Sequence, residues 1–444
     1  MNRETGLLHW IFPAMIALAA VGIVVSGRDL TQSMEALSTL APAGRPAVLT
    51  WLQRAVSMLL LLASAERIVH HFVSGNRVPT PALAGVFVVF WLATVLAPAY
   101  YGTNPVFAHD YLYSLVAGIA IVLVSPKERD KIIDATRTAL FLFMLGGVLM
   151  IPVSVNMVLD TGYRQGLIPG LPRMGGLANH PVALGMLAQI GLMCLWGRPF
   201  RSRWINRAAW LLGLSVLFMA QSKSAWIAFV ICAMGMVMVR SGATFWKKVG
   251  DPERSSMGVL LSVSFMAVVA VAFGLVVFGN LGGHAANFLD SPEGAQLSSL
   301  TGRDRIWVVA IEEWRNNRLF GYGPGMWDAE FRASIKMPFA THAHNQFLDT
   351  LSRSGLVGAT ALVLYAIVLL VLSFARAGQT RGLSLALFLS IALLSISEVP
   401  LLLLGYGNDL VFHFLLVATL AAAPGAQART ATRRSPPRGY RVAS

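Results

Sequence analysis

Apolar stretches of membrane-spanning length recur along almost the whole chain, and they constrain its fold more than any other feature. A helix that crosses a bilayer needs about 20 mainly apolar residues, with a range near 17–25. Read with that window, the 444-residue sequence contains twelve such stretches. They lie at about 7–26, 47–64, 81–98, 110–124, 138–158, 180–196, 206–220, 224–239, 258–279, 355–375, 383–403 and 409–423. The sequence therefore predicts an all-α polytopic membrane protein with about twelve transmembrane helices.

The composition excludes several other classes of protein. Only 13% of the residues are charged and 56% are hydrophobic, whereas a soluble domain carries about 25% charged residues. This excludes a soluble enzyme and a disordered protein. Cys194 and Cys232, the two cysteines, lie inside apolar runs without metal-ligand spacing, which excludes a disulfide scaffold. In a membrane protein the net charge of +14 indicates basic cytoplasmic loops, so we expect no nucleic-acid partner.

The distribution of Lys and Arg predicts the orientation. With a cytoplasmic N-terminus, the cytoplasmic segments hold 22 of the 35 basic residues, so both termini are predicted to be cytoplasmic. The predicted organisation is helices 1 to 9 in 1–279, an external segment in 280–354, helices 10 to 12 in 355–423 and a disordered basic tail in 424–444.

The external segment has nearly balanced charge, with eight acidic and seven basic residues. Helical spacing of apolar residues predicts an amphipathic helix from Asp304 to Leu319. The glycine-rich run from Gly321 to Gly325 then predicts a turn. A phosphate cradle is less favoured there, because such cradles normally precede a helix and this run follows one.

A histidine pair, His342 and His344, lies before the tenth predicted span. Imidazole titrates near neutrality, so His344 is a candidate acid–base group. A metal site and a purely structural pair are the alternatives; two ligands fall short of the three that catalytic zinc sites usually have. Asp304 and Asp349 are candidate partners that would orient an imidazole.

The predicted topology brings three cations to the same external face. Arg173 precedes the sixth span, Lys223 lies in the turn between the seventh and eighth, and Arg303 belongs to the external segment. Snorkelling to lipid headgroups explains any one of them, but three cations beside a histidine suit a diphosphate leaving group next to a general base. Glu398, predicted inside the eleventh span, is expected to be paired or functional, as is Arg54 in the second.

Asp-x-Asp and Glu-x-Asp pairs, which can hold Mg²⁺ or Mn²⁺, are lacking on the predicted external face. The only such triplet in the sequence, Glu128-Arg129-Asp130, falls on the predicted cytoplasmic side. We therefore expect a mechanism without metal or other cofactor.

Taken in order, these motifs resemble the O-antigen ligase and polymerase superfamily of bacterial inner-membrane glycosyltransferases. The resemblance covers about residues 165–410. It is carried by Arg173 with Gly175-Gly176 and His180-Pro181, Ser222-Lys223, Gly302-Arg303 with Trp307, Gly321-Tyr322-Gly323, and His344-Asn345. Where the family usually has Ser-Arg, this chain has Ser222-Lys223, which keeps the charge but lacks the bidentate fork of arginine.

The resemblance implies a membrane-embedded, inverting glycosyltransferase whose site faces the periplasm. It would transfer O-antigen from undecaprenyl diphosphate to a sugar hydroxyl of lipid A–core, with both lipids as partners inside the membrane. His344 would deprotonate or orient the hydroxyl. Arg173, Lys223 and Arg303 would bind the diphosphate and stabilise its developing charge, so that His344 and Arg303 are the expected catalytic residues. His342, Asn345 and Glu398 would support the site. An O-antigen polymerase, a protein O-oligosaccharyltransferase and, from another class, a lipid or polysaccharide transporter are the alternatives.

Overall fold

The computed structural model describes residues 6–31, 46–163, 170–249, 303–338, 340–405 and 408–421. The ninth predicted span, the first part of the predicted external segment (280–302) and the predicted basic tail lie outside these ranges. Nearly all regular structure in the described residues is helical. The exception is a pair of two-residue antiparallel strands, β1 (Leu159–Asp160) and β2 (Arg173–Met174).

The described α-helices are fifteen, numbered here in chain order. They are α1 (Ile11–Ser26), α2 (Ala47–Val73), α3 (Pro81–Trp91), α4 (Ala97–Tyr101), α5 (Tyr111–Val122), α6 (Pro126–Leu149), α7 (Val155–Val158), α8 (Pro181–Gly197), α9 (Arg203–Met219), α10 (Lys223–Val249), α11 (Arg303–Asn316), α12 (Ala329–Ser334), α13 (Gln346–Arg376), α14 (Leu383–Leu394) and α15 (Asn408–Ala421). A 3₁₀ turn (Leu7–Trp10) precedes α1, and a π-helical turn (Leu92–Leu96) joins α3 to α4.

Six helical stretches in the described part are long and apolar enough to cross a membrane. They are Leu7–Ser26, Ala47–Val73, Pro81–Tyr101, Pro126–Leu149, Lys223–Gly242 and Gln346–Arg376, and four shorter apolar helices accompany them. The polytopic, helical class is thus confirmed, while the number twelve stays a prediction. The fifth span was predicted from 138, but α6 begins at Pro126, where Ser125 and Glu128 form a reciprocal capping box.

The helices share one large apolar core, and a second, smaller core lies beside it. The smaller core packs one face of α11, through Ile306 and Ala310, against Trp327, Phe331 and Ala343. This confirms the amphipathic helix predicted from Asp304, which ends three residues earlier than expected, at Asn316. The small core carries the histidine pair on its border.

The glycine-rich run is a turn that docks on a kink in α13. Gly321 has φ +67°, and Gly355 inside α13 has φ +60°. Tyr322 N donates to Ser352 O at 2.8 Å, and Gly323 N donates to Arg353 O at 3.0 Å. A Cβ added at Gly321 would lie 2.5 Å from Ser352 O. The run therefore needs glycine for close backbone approach.

Glu398 lies outside the helix in which the sequence placed it. The eleventh span was predicted to reach 403, but α14 ends at Leu394 and the chain turns through Ser395–Glu398. Pro400 follows closely and disfavours helix at the residue before it. The apolar residues after Glu398 extend the hydropathy signal without extending the helix.

Candidate functional site

The loop that carries His342 and His344 is held by its middle residue, Ala343. The indole Nε1 of Trp307, on α11, donates to Ala343 O at 2.9 Å, and Ala343 N donates to Asp349 Oδ1 at 2.9 Å. Asp349 is fully buried and also accepts Arg353 Nε at 2.8 Å. These bonds fix the peptide on both sides, so the two imidazoles project from an anchored backbone.

A second set of bonds brings the Glu398 turn onto the start of α13. Gln346 N donates to Ser395 O at 2.9 Å, and Gln346 Oε1 accepts Leu401 N at 2.8 Å. Asn345 caps α13 by accepting Leu348 N at 3.0 Å, and its amide donates to Ile396 O at 3.4 Å. Asn345, which was predicted to support the site, thus bonds to the start of α13 and to the backbone of the turn before Glu398.

Glu398 faces both histidines through one carboxylate oxygen. Its Oε2 lies 3.3 Å from His342 Nε2 and 3.5 Å from His344 Nδ1. Asp349, one of the two carboxylates predicted to orient an imidazole, is occupied instead by Ala343 and Arg353. Asp304 is exposed on the first turn of α11. The carboxylate in contact with the imidazoles is thus Glu398.

The backbone assigns the ring proton of His342. His344 N donates to His342 Nδ1 at 3.1 Å, so that nitrogen must offer a lone pair. A neutral His342 then carries its proton on Nε2, directed at Glu398. If His344 likewise presents an Nδ1 proton to Glu398, its Nε2 is the nitrogen that remains for a substrate.

The surroundings shift two pKa values in the cluster. Burial, followed by the charge of His344, lowers the pKa of His342 to about 4. Burial of the Glu398 carboxyl raises its pKa, but the interactions with His344, His342 and Arg303 outweigh this and the net shift is downward. Near neutral pH the cluster therefore combines a neutral His342 with an ionised Glu398.

By distance alone, His342, His344 and Glu398 could hold a metal ion, since one ligand atom from each lies within 4.8 Å of the others. The tautomer of His342 opposes this arrangement. A neutral imidazole that binds a metal through Nε2 carries its proton on Nδ1, yet Nδ1 accepts the His344 amide here. The geometry therefore favours a carboxylate in close contact with two imidazoles over a metal centre.

Arg173 lies in a loop that Arg28 clamps. The Arg28 guanidinium donates to Met157 O and Gly176 O, each at 2.8 Å, and also to Ala178 O. Arg173 Nε donates to Ala220 O at 3.1 Å, and its guanidinium stacks on Tyr163 at 4.6 Å from the ring centroid. Desolvation lowers the pKa of both arginines, that of Arg28 to about 10.

His180 connects the arginines electrostatically to the histidine cluster. It caps α8 by accepting Val182 N at 3.2 Å. Partial desolvation of its ring and then the positive charge of Arg173 lower its pKa, and Glu398 and His344 also act on it. Arg303, at the start of α11, acts on Glu398 in the same way. Arg173, Arg303, His342, His344 and Glu398 thus form one neighbourhood.

Lys223 makes no direct contact with that group of residues in the described part of the chain. Its side chain is exposed at the start of α10, and among the described residues no hydrogen bond or ion pair joins it to the cluster. The preceding turn is nevertheless tied to the Arg173 loop, because Gln221 Nε2 donates to Leu171 O at 2.8 Å. Lys223 therefore lies near the loop of Arg173 rather than beside the histidines.

Sequence reasoning gave no role to several residues that build the site. Arg28 and His180 occupy the predicted external ends of the first and sixth spans, a position that could have drawn attention to them. Arg353, the partner of Asp349, follows it by four residues, the spacing of an ion pair on one helix face. The structural role of Gln346 had no comparable signal, because its partners Ser395 and Leu401 are distant in sequence.

Comparison with known proteins supports the resemblance. Residues 208–363 match a family model described as O-antigen ligase. The match includes Lys223, Arg303 and both histidines, while Arg173 and Glu398 fall outside it. A search of curated proteins gives no match. Residues 208–363 of this chain are thus similar to the O-antigen ligase family.

Proposed function

We propose that this protein transfers an O-antigen glycan from undecaprenyl diphosphate to a sugar hydroxyl of lipid A–core, at the periplasmic face of the bacterial inner membrane. The acceptor hydroxyl attacks the anomeric carbon as the bond to the diphosphate breaks, so the configuration at that carbon inverts. The hydroxyl proton passes to His344 Nε2, and undecaprenyl diphosphate leaves. No metal or other cofactor takes part.

The observation that carries this proposal is the contact of Glu398 Oε2 with both imidazoles, at 3.3 and 3.5 Å. A carboxylate on one nitrogen of an imidazole holds the tautomer and stabilises the imidazolium that forms when the other nitrogen takes a proton. In this reading His344 is the base, Glu398 orients it, and His342 fixes Glu398 through its Nε2 proton.

The neighbouring cations supply the second requirement of the reaction. The charge of Arg173 acts on His180 and that of Arg303 acts on Glu398, and both of these groups also interact with the proposed base, His344. Guanidinium groups bind phosphate oxygens bidentately and would stabilise the charge that develops on the leaving diphosphate. Lys223, next to the Arg173 loop, would contact the more distant phosphate.

The test is reconstitution of the purified protein with an undecaprenyl diphosphate-linked glycan and three separate acceptors. These are lipid A–core, a second lipid-linked glycan and a pilin-like protein, each assayed with and without EDTA. Transfer to lipid A–core that survives EDTA is the expected result. Preferential transfer to the second lipid would identify a polymerase, and transfer to protein an oligosaccharyltransferase. Loss of activity in EDTA with recovery in Mg²⁺ or Mn²⁺ would overturn the metal-free mechanism.

A further inference from the structure

A large cavity opens at the end of the helices remote from the histidine cluster. It has a volume of about 760 Å³ and lies between the first turns of α6, the loop that joins α8 to α9, and the turn before α14. Helix α8 begins directly after its capping residue His180, near the cluster, and ends at Gly197, at the cavity. At 1.5 Å per residue this separates the two places by roughly 25 Å. The cavity is therefore independent of the proposed transfer site.

One wall of this cavity is a fixed network of charges. Arg198 donates to both oxygens of Asp134 at 2.9 Å, in a bidentate pair, and its Nη1 lies 2.9 Å from Asp130 Oδ2. Arg137 Nη1 lies 3.3 Å from Asp134 Oδ1 and also donates to Arg198 O. The network ties the start of α6 to the loop after α8, so the wall is built before any ligand binds.

The cavity lining carries more positive charge than its carboxylates neutralise. Five arginines line it, Arg129, Arg137, Arg198, Arg201 and Arg381, against two aspartates. Arg201 and Arg381 are exposed, and within the described ranges neither makes an ion pair. We call this cavity, with its five arginines, the arginine pocket.

Two further features of the arginine pocket favour an anion. Arg137 is only 7% exposed, yet its Nε has no hydrogen-bond partner in the described part of the chain. Ser202 and Ile205, also in the lining, mark the start of α9, where Ser202 Oγ caps the helix. The first turn of a helix of this length adds backbone N–H groups and a partial positive charge.

We propose that the arginine pocket binds a phosphate group presented by the headgroup of an anionic phospholipid. Guanidinium groups match phosphate oxygens in geometry and charge. The pocket lies at the ends of apolar helices, where headgroups reside, on the face that the basic loops predict to be cytoplasmic, and basic pockets between helices on that face suit such lipids. A soluble diphosphate offers the same chemistry, so the experiment separates the two sources.

The test compares two doubly substituted proteins that lose equal charge. The pocket variant is Arg201→Gln with Arg381→Gln. The control is Arg77→Gln with Arg203→Gln, two exposed arginines outside the pocket lining. Native mass spectrometry measures retention of dioleoylphosphatidylglycerol against dioleoylphosphatidylcholine, and calorimetry measures binding of sodium pyrophosphate. Arg201→Gln alone serves if the double pocket variant unfolds.

We expect the wild type and the control to retain the anionic lipid preferentially. The pocket variant should lose this preference by roughly tenfold, since each cation near a membrane surface contributes measurably to anionic-lipid binding. Pocket-dependent binding of pyrophosphate without lipid preference would overturn the lipid as ligand and identify a soluble source. Equal behaviour of the two variants with both probes would overturn the phosphate site itself.

Discussion

His344 occupies a backbone conformation that few side chains adopt. Its φ is +50°, in the left-handed region, where histidine is found more often than most non-glycine residues. Such a conformation persists when its surroundings determine it, and here the amide donates to His342 while the preceding residue is bonded on both sides. The conformation turns His344 Nδ1 towards Glu398, which is what a base in this position needs.

Replacement of His344 by Ala should separate chemistry from donor binding. General acid–base catalysis contributes about 10²–10⁴-fold, so turnover should fall by that order while a lipid diphosphate analogue binds nearly unchanged. His70→Ala, an exposed histidine on α2, is the matched control. Transfer by His344→Ala at the wild-type rate would remove His344 from the mechanism.

The depressed pKa of His342 predicts a dependence of stability on pH. Because its pKa is about 4 in the folded protein and about 6.5 in the unfolded chain, the unfolded state binds more protons between these values. Stability should therefore fall as pH drops from 7 to 5, by roughly 2 kcal/mol for this one group. His180 contributes with the same sign. Glu398 contributes little there, since it is ionised in both states.

The apparent unfolding temperature in detergent, recorded at both pH values, measures this effect. His342→Gln removes the titrating ring, so the drop between the two pH values should be smaller in the variant than in the wild type. An equal drop in the two proteins would show that His342 is not the group responsible.

At the scale of elements, an indole hydrogen bond joins α11 to the histidine loop, in addition to the apolar packing of the smaller core. Trp307→Phe keeps an aromatic ring but removes the donor to Ala343 O, so the loop loses one of its two anchors. We expect the transfer rate to fall several-fold with little change in donor affinity. Trp314→Phe is the matched control, because that indole donates to Arg318 O on the exposed side of the same helix. Equal rates in the two variants would contradict a positioning role for Trp307.

The packing of the glycine-rich turn against the α13 kink leads to a separate prediction about stability. Gly321→Ala combines a left-handed backbone with a Cβ 2.5 Å from Ser352 O, so it should destabilise the protein by about 1–3 kcal/mol. Gly85→Ala, inside α3 with open space around the added carbon, should be neutral or stabilising. Unfolding temperatures of both variants test this, and a stable Gly321→Ala protein would contradict it.

Elements were easier to predict than their ends. Hydropathy located the long helices because burial in lipid or in the bundle requires runs of apolar residues. It misplaced Glu398 because Val399 and the leucines after it are apolar but not helical. The amphipathic period identified α11. Glu398 lies next to the histidines because Gln346 forms hydrogen bonds with Ser395 and Leu401. These residues are distant in sequence, so no local sequence pattern could predict the contact.

At the scale of the whole molecule, the charge pattern predicts on which side each end of the bundle lies. Glu312→Cys, exposed on α11, should react with an impermeant maleimide in intact spheroplasts. Arg203→Cys, exposed at the start of α9, should react only after lysis. Cys194 and Cys232 are buried and should not be labelled. The reverse pattern of labelling would invert the orientation and place the histidine cluster in the cytoplasm.

The Glu398 carboxylate reaches the histidines from beyond the segment that resembles known ligases. Residues 208–363 contain the proposed base but neither Glu398 nor the Arg173 loop with its Arg28 clamp. A chimaera that carried this segment alone in a related protein would contain His344 but would lack Glu398. The smallest exchangeable module of this protein therefore extends from α1 through the turn after α14, and attempts to recombine acceptor specificities have to respect that boundary.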